Sequence, residues 1–247
     1  MSDSENVIHK SKWAITTKNG NYIYKMFLHN NLPKIEKEIK LFQISTGIKP
    51  RLYYNSNGNL VCESKYIKLS PLFINGFSEK ELLQLNDIFI RWNTDIRYIN
   101  CVIDEWQSDS VPFFYSILKQ YIPSFEESID WLKSSKADNF IHGDFTLSNV
   151  FLNSTGNLIV LDFENAMIGP KLWDETTFVY SLIENSQYEI ADRLFTNWKC
   201  NYKMLKVISE IRLALSFRKA MNVDRRLSAY KYITQKYNVE RQKGERK

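Results

Sequence analysis

Residues 141–164, IHGDFTLSNVFLNSTGNLIVLDFE, constrain this chain more than any other stretch. Residues 150–152 and 158–161 are apolar runs of strand length, joined through Ser154-Thr155-Gly156. Glycine in that link can take the left-handed conformation a tight hairpin turn needs. A hairpin centred on Thr155 brings Asp162 back beside Asn149 at its open end, as near cross-strand neighbours. Two hard oxygen side chains converging in this way suit Mg2+, which takes one or two protein ligands and fills its octahedron with water and phosphate oxygens. Asp144 lies in the loop entering the hairpin, five residues before Asn149, and can reach the same region without sharing the metal.

The remaining totals narrow the class. Glycine is scarce, 8 of 247 residues. Neither G-x-G-x-x-G nor G-x-x-x-x-G-K-[ST] occurs, so any nucleotide is held without a glycine-dense phosphate loop. A hydrophobic content of 44% with 14% aromatics fills a sizeable core and excludes global disorder. No run approaches the roughly 18 consecutive apolar residues of a membrane span, and the start MSDSENVIHK lacks the apolar centre of a secretion signal. Cys62, Cys101 and Cys200 are scattered and form no C-x-x-C pair, which points to a reducing cytoplasm without a structural zinc site. The net charge of +5 is unevenly placed: residues 216–247 hold ten Lys/Arg and three Asp/Glu, or +7, leaving −2 for the other 215. Such a tail reads first as a solvated helix face, and second as a footprint for acidic lipid, substrate or nucleic acid.

Along the chain, residues 13–17 and 22–27 flank Lys18-Asn19-Gly20-Asn21, and Asn-Gly between apolar runs predicts a type I′ hairpin. Leu32-Pro33 opens a helix to about Ile44, with Ile35, Ile39 and Phe42 as its apolar stripe. Strands follow at 51–54 and 60–67. The pattern is helical over 79–136, with Leu82, Leu83, Ile88 and Ile90 at helical spacing, and helical again from 172. Alternation in strand 22–27 puts Ile23, Lys25 and Phe27 on one face, an unusual place for a lysine. Glu36 and Glu38 both flank the stripe of the following helix, and helical geometry does not choose between them.

His142-Gly143-Asp144, Asn149 and Asp162-Phe163-Glu164 together resemble the signature of aminoglycoside phosphotransferase and choline kinase-like enzymes. They are nearest the H-G-D-F-x-x-x-N subgroup of bacterial polysaccharide and lipopolysaccharide clusters. Gly169-Pro170 and Asp174 continue the pattern, which covers 140–175 and is absent over 180–247. The spacings Asp144 to Asn149 and Asn149 to Asp162 also match the protein-kinase catalytic loop and its metal-binding Asp. The resemblance implies an α+β, two-lobed protein-kinase-like fold, with a small β-rich N-lobe (1–67) and a larger helical C-lobe (68–247). It implies transfer of the γ-phosphate of ATP, with Mg2+, to an alcohol of a small molecule or saccharide. Asp144 would be the catalytic base, and Asn149 and Asp162 the metal ligands. His142, Glu164 and Asp174 would support the loop. Lys25 would grip the α/β-phosphates with Glu38 as its partner, and the backbone of Lys65, Tyr66 and Ile67 would hydrogen-bond adenine.

The sequence departs from the family at its start. Only residues 1–12 precede the Lys25 hairpin, without glycine, where the family has a strand and a phosphate lid. A short lid is expected, and a non-catalytic kinase-fold binding module is the alternative function. Arg212, Arg218, Lys219, Arg225 and Arg226 make the acceptor side basic. That favours a neutral or anionic acceptor, such as a glycan or lipid-linked sugar, over polycations and choline. It also allows a cytoplasmic protein to touch the anionic inner face of a membrane through the tail, with nucleic acid ranked last. Trp106, Phe113, Phe114, Tyr115, Trp131 and Trp173 are expected in the core rather than stacked on sugar.

Overall fold

The structure is a computed structural model and describes residues 6–10, 14–28, 31–72, 77–102 and 104–244. In chain order its first strands and helix are β1 (Asn6–Lys10), β2 (Ala14–Asn19), β3 (Tyr22–Phe27), α1 (Leu32–Thr46), β4 (Arg51–Tyr54), β5 (Leu60–Lys65) and β6 (Leu69–Pro71). Then come α2 (Glu79–Thr94), α3 (Ile96–Ile99), α4 (Val111–Tyr121), α5 (Glu126–Ser134), β7 (Ala137–Ile141), β8 (Val150–Asn153), β9 (Leu158–Val160) and β10 (Met167–Pro170). The chain ends in α6 (Trp173–Glu184), α7 (Tyr188–Asn197), α8 (Tyr202–Lys219) and α9 (Val223–Gly244). It forms two compact units. The first takes Met1–Leu72, Glu79–Ile103 and Ser148–Asn165; the second takes Phe73–Ser78, Asp104–Leu147 and Ala166–Lys247. The lobe boundary expected at 67/68 falls inside the first unit.

In the first unit an antiparallel sheet runs β1-β2-β3-β5-β4. Asn19 pairs with Tyr22, so the β2–β3 turn is Gly20-Asn21, one residue later than expected. Positive φ occurs at Gly20 (56°) and not at Asn21, the pattern of a II′ rather than a I′ turn. The register follows burial: Ala14 pairs with Phe27 and both are buried on one face, and a one-residue slip would turn them outward. β1 is a strand the sequence reading leaves unassigned. Its Val7 and Ile8 are exposed and a bulge lies between Val7 and His9, so backbone pairing makes this strand and no burial period announces it. A strand therefore does precede the Lys25 hairpin; Ser11 and its neighbours in the connection lie outside the described residues.

Asn31 caps α1, its side chain accepting the Lys34 N–H, and Gly47 ends it at φ 72°. Ile35 and Ile39 join Ala14 and Phe27 in the sheet core, with Leu60 and Cys62 packed against it. The helix has a second buried face, Lys37 and Leu41, which a single stripe does not foresee. That face meets the β8–β9 hairpin and the turn after it: Ser45 Oγ donates to the Val160 carbonyl (3.2 Å), and Lys37 Nζ to the Glu164 carbonyl (2.9 Å). α2 buries Leu85, Ile88, Phe89 and Trp92, whereas Leu83 and Ile90, two of the residues that mark the helical pattern in the sequence, are 59% and 60% exposed. Its Gln84 brackets the hairpin turn, donating to the Gly156 carbonyl and accepting the Leu158 N–H.

Burial sets the thiol chemistry. It pushes Cys62 up to about 11, helped by the charge of Glu38, and Cys200 up to about 12. At pH 8 only about one Cys62 in a thousand is thiolate, and only thiolate reacts. Brief iodoacetamide treatment of the native protein is expected to spare both, and peptide mass spectrometry reads it. Labelling at the rate seen in urea would contradict these burials.

The second unit is helical apart from the β7–β10 pair. Trp106 is buried, donates its indole N–H to the Leu132 carbonyl, and meets Trp173 edge-on at 4.7 Å. Trp173 stacks on Phe114 and Trp131; of the six aromatics expected in the core, Trp106 and Trp173 are buried, Phe114 and Trp131 half-buried, and Phe113 and Tyr115 exposed. α8 is the central helix, burying Leu205, Ile208, Ile211 and Ala214 among others. Among the described residues no helix is long and apolar enough to cross a membrane.

Candidate active site

The β8–β9 register pairs Val150 with Val160 and Leu152 with Leu158, centred on Thr155 as the sequence predicts. Asn153 closes the turn by accepting the N–H groups of Thr155 and Asn157, and Gly156 supplies φ 74°. At the open end Leu161 N–H donates to the Asn149 carbonyl (3.0 Å), so Asp162 follows directly on the residue paired with Asn149. Asn149 is half-buried; Asp162 is exposed and left-handed, with φ 68°. One amide oxygen and one carboxylate form a hard donor set that fits Mg2+. Among the described residues no three His, Cys, Asp or Glu side chains group as a metal cluster.

The same unit holds the candidate phosphate-binding pair. Lys25 of β3 forms an ion pair with Glu38 of α1, while Glu36 turns to Lys40 at the surface. The structure thus chooses between the two glutamates. Burial works against the Lys25 ammonium, but Glu38, then Asp162 and Glu164, outweigh it and lift its pKa above the usual lysine value. Glu164 is half-buried. Burial raises its carboxyl first, then the charges of Asp162 and Glu38, against the pull of Lys25 and Lys37. Phe163, fully buried against Trp92, anchors the turn between these carboxylates. Lys37 is the residue here that sequence reasoning missed.

Of the three residues expected to hydrogen-bond adenine through their backbone, Tyr66 has its N–H engaged: it donates to the Asn21 carbonyl (2.7 Å), closing β5 against the β2–β3 turn. Its ring lies under the Lys18 ammonium at 3.6 Å. Lys65 is paired with Tyr22 in the sheet, and Ile67 follows the strand.

The second unit carries the candidate base. β7 ends at Ile141, and the next two amides converge on one carboxylate: His142 N–H donates to Asp174 Oδ2 (2.6 Å) and Gly143 N–H to Oδ1 (3.1 Å). Gly143 takes φ 80°, a conformation suited to glycine. His142 is fully buried, and its Nδ1 accepts the Asp144 N–H at 3.3 Å, so its ring proton sits on Nε2. Burial pushes the Asp174 carboxyl well above the usual range, against the two amide hydrogen bonds. Seven residues further along α6, Ser181 Oγ accepts the Leu147 N–H (3.2 Å). One helix therefore braces both ends of the loop that displays Asp144.

Asp144 itself forms an ion pair with Arg212 of α8. This partner, 68 residues away, was not among the sequence-derived site residues. Glu184 holds both Arg225 (3.0 Å) and Arg226 (3.1 Å), and Arg226 also donates to the Arg212 carbonyl. Lys236 pairs with Asp192. Of the five residues that made the acceptor side basic in the sequence, Arg212, Arg225 and Arg226 are matched to carboxylates of their own unit, while Arg218 and Lys219 are exposed.

A family model described as "Phosphotransferase enzyme family" matches residues 97–205, which include His142, Asp144, Asn149, Asp162, Glu164 and Asp174 but neither Lys25 nor Glu38. The comparison with curated protein sequences gives no match. Among solved structures, the chain is similar to the GDP complex of aminoglycoside 2'-phosphotransferase-IIIa (15% identity, TM-score 0.63, 94% of this chain and 93% of that one). It is similar to a choline/ethanolamine kinase family protein from Mesorhizobium loti (8% identity, TM-score 0.62, 97% and 91%). It also resembles the amicoumacin kinase hAmiN in complex with AMP-PNP, Ca2+ and Ami (13% identity, TM-score 0.58, 94% and 89%). The antiparallel N-terminal sheet, the helical C-terminal part and these likenesses show that the chain has the kinase-like α+β fold.

Proposed function

We propose that the protein transfers the γ-phosphoryl group of ATP to a hydroxyl of a small molecule or saccharide, with a glycan or lipid-linked sugar as the acceptor class. The observation that carries this reading is the Lys25–Glu38 ion pair, the strand-lysine to helix-glutamate link on which kinase-type phosphoryl transfer depends. In this reaction the acceptor oxygen forms a bond to the γ-phosphorus as the bond to the β,γ-bridging oxygen breaks. ADP leaves, and the hydroxyl proton passes to the Asp144 carboxylate. Lys25 holds the α/β-phosphate oxygens, with its ammonium kept charged and aimed by Glu38. His142 and Asp174 keep the Asp144 loop in one conformation. Asn149 and Asp162 are the residues that would hold Mg2+, which supplies charge neutralisation at the β- and γ-phosphates when bound.

The test is ATP turnover by the purified chain with candidate acceptors, alongside its Lys25→Met variant. Loss of one charge-assisted contact is worth about 1.5–3 kcal/mol, so kcat/KM for ATP is expected to fall about 10- to 100-fold. Equal turnover by the variant would remove Lys25 from the site. A wild-type protein with neither turnover nor a Mg2+-dependent ATP thermal shift would favour the non-catalytic module.

A further inference from the structure

The Asp144–Arg212 pair is a peculiar neighbour for a base that must receive an alcohol. The two side chains are 27% and 18% exposed, so solvent and a ligand reach them. The main chain of α8 at Arg212 is tied to α9, because the Arg212 carbonyl accepts Arg226 Nη1 at 2.8 Å while Arg226 is itself tied to Glu184. Three guanidinium groups, Arg212, Arg225 and Arg226, share two carboxylates, Asp144 and Glu184. Among these five the positive charge exceeds the negative by one. A guanidinium has five N–H donors in a planar fork, and Asp144 engages Nη2 of Arg212. A second observation points the same way. The Tyr180 hydroxyl of α6 is fully buried and makes no hydrogen bond among the described residues. It lies within electrostatic range of Glu184, Arg226, Arg212 and Arg225. A buried hydroxyl without a partner, in the field of these guanidinium groups, adds a dipole that can turn toward an anion held at Arg212.

We infer that Arg212, supported by Tyr180, selects the acceptor by binding an oxyanion, carboxylate or phosphate, carried close to the hydroxyl that Asp144 deprotonates. The inference rests on the kinase reading for the role of Asp144. The acceptor is then an acidic or phosphorylated saccharide, and a cationic acceptor is turned away by the same guanidinium.

The experiment compares four versions of one ring: galactose, galacturonate, galactose 6-phosphate and galactosamine. Each is measured as acceptor with ATP, and separately by titration calorimetry without ATP. Wild type is expected to prefer an anionic ring over galactose at least about 10-fold in both readouts, with galactosamine lowest, and the two anions separate carboxylate from phosphate recognition. Arg212→Gln is expected to collapse that ratio, Arg212→Lys to keep much of it, and Arg218→Gln, at an exposed position, to leave it unchanged. Should Arg212→Gln fail to fold, Tyr180→Phe, which removes only an unpartnered hydroxyl, is expected to weaken anion binding. Equal binding or turnover of neutral or amino rings, no binding of either anion, or an anion preference that survives Arg212→Gln overturns the inference. Turnover without anion preference leaves the kinase reading intact. Arg212-dependent anion binding without turnover defeats that reading and keeps the anion site.

Discussion

Asparagine in place of Asp144 is expected to slow phosphoryl transfer by about 10²- to 10⁴-fold, the range a positioned general base contributes. The change is isosteric and keeps an oxygen toward Arg212, so the loop retains its shape. What disappears is the carboxylate proposed to take the acceptor proton. Arg212 loses its charged partner, a loss of about 1.5–3 kcal/mol at most for a charge-assisted hydrogen bond. The check is kcat with saturating ATP and acceptor, taken with a thermal melt of the same preparation. A variant that melts early yet keeps its rate would make the pair structural and remove Asp144 from the chemistry.

The largest effect on stability is expected at Asp174. Its two carboxylate oxygens accept the His142 and Gly143 amides, and alanine there strands both. An unsatisfied buried donor costs about 1–3 kcal/mol, so Asp174→Ala should lose about 2–6 kcal/mol, a large part of the roughly 5–15 kcal/mol that holds a domain together. Urea titration reads this as a lower midpoint at unchanged slope. The residue also has a pH signature. Burial raises its folded pKa, so the fold holds this proton more tightly than the unfolded chain does. Its contribution to stability is therefore fullest below the unfolded carboxylate pKa of about 3.9 and declines as pH rises from there toward the folded value. The stability difference between wild type and Asp174→Asn should accordingly shrink as pH rises through the acid range. A difference that grows instead would show a carboxylate stabilised as its anion.

The β8–β9 hairpin was legible because its information is local: two apolar runs, one glycine turn, and a centre that places Asn149 and Asp162 by counting. The α1 helix was legible for the same reason, within two residues at its C-terminal end. What escaped depends on tertiary partners. Glu38 could not be told from Glu36 until β3 stood beside α1. Lys37 reads as a surface residue because the Glu164 carbonyl that receives it is 127 positions away. Arg212 counted only as basic charge on the acceptor side because a list of charges does not see Asp144, 68 positions away. β1 lacks any burial alternation, and the β2–β3 turn slid by one residue because the burial of Ala14 and Phe27 outweighed the preference of Asn19-Gly20.

The left-handed backbone at Asp162 bears on whether the chain still works as an enzyme. A non-glycine residue there costs on the order of 1 kcal/mol, and Asp162 bears it at φ 68° beside a second carboxylate whose proton affinity it raises. Glycine at this position would relieve both burdens at a stroke. Under the proposed function, the strain is the cost of placing a carboxylate's charge next to Asn149.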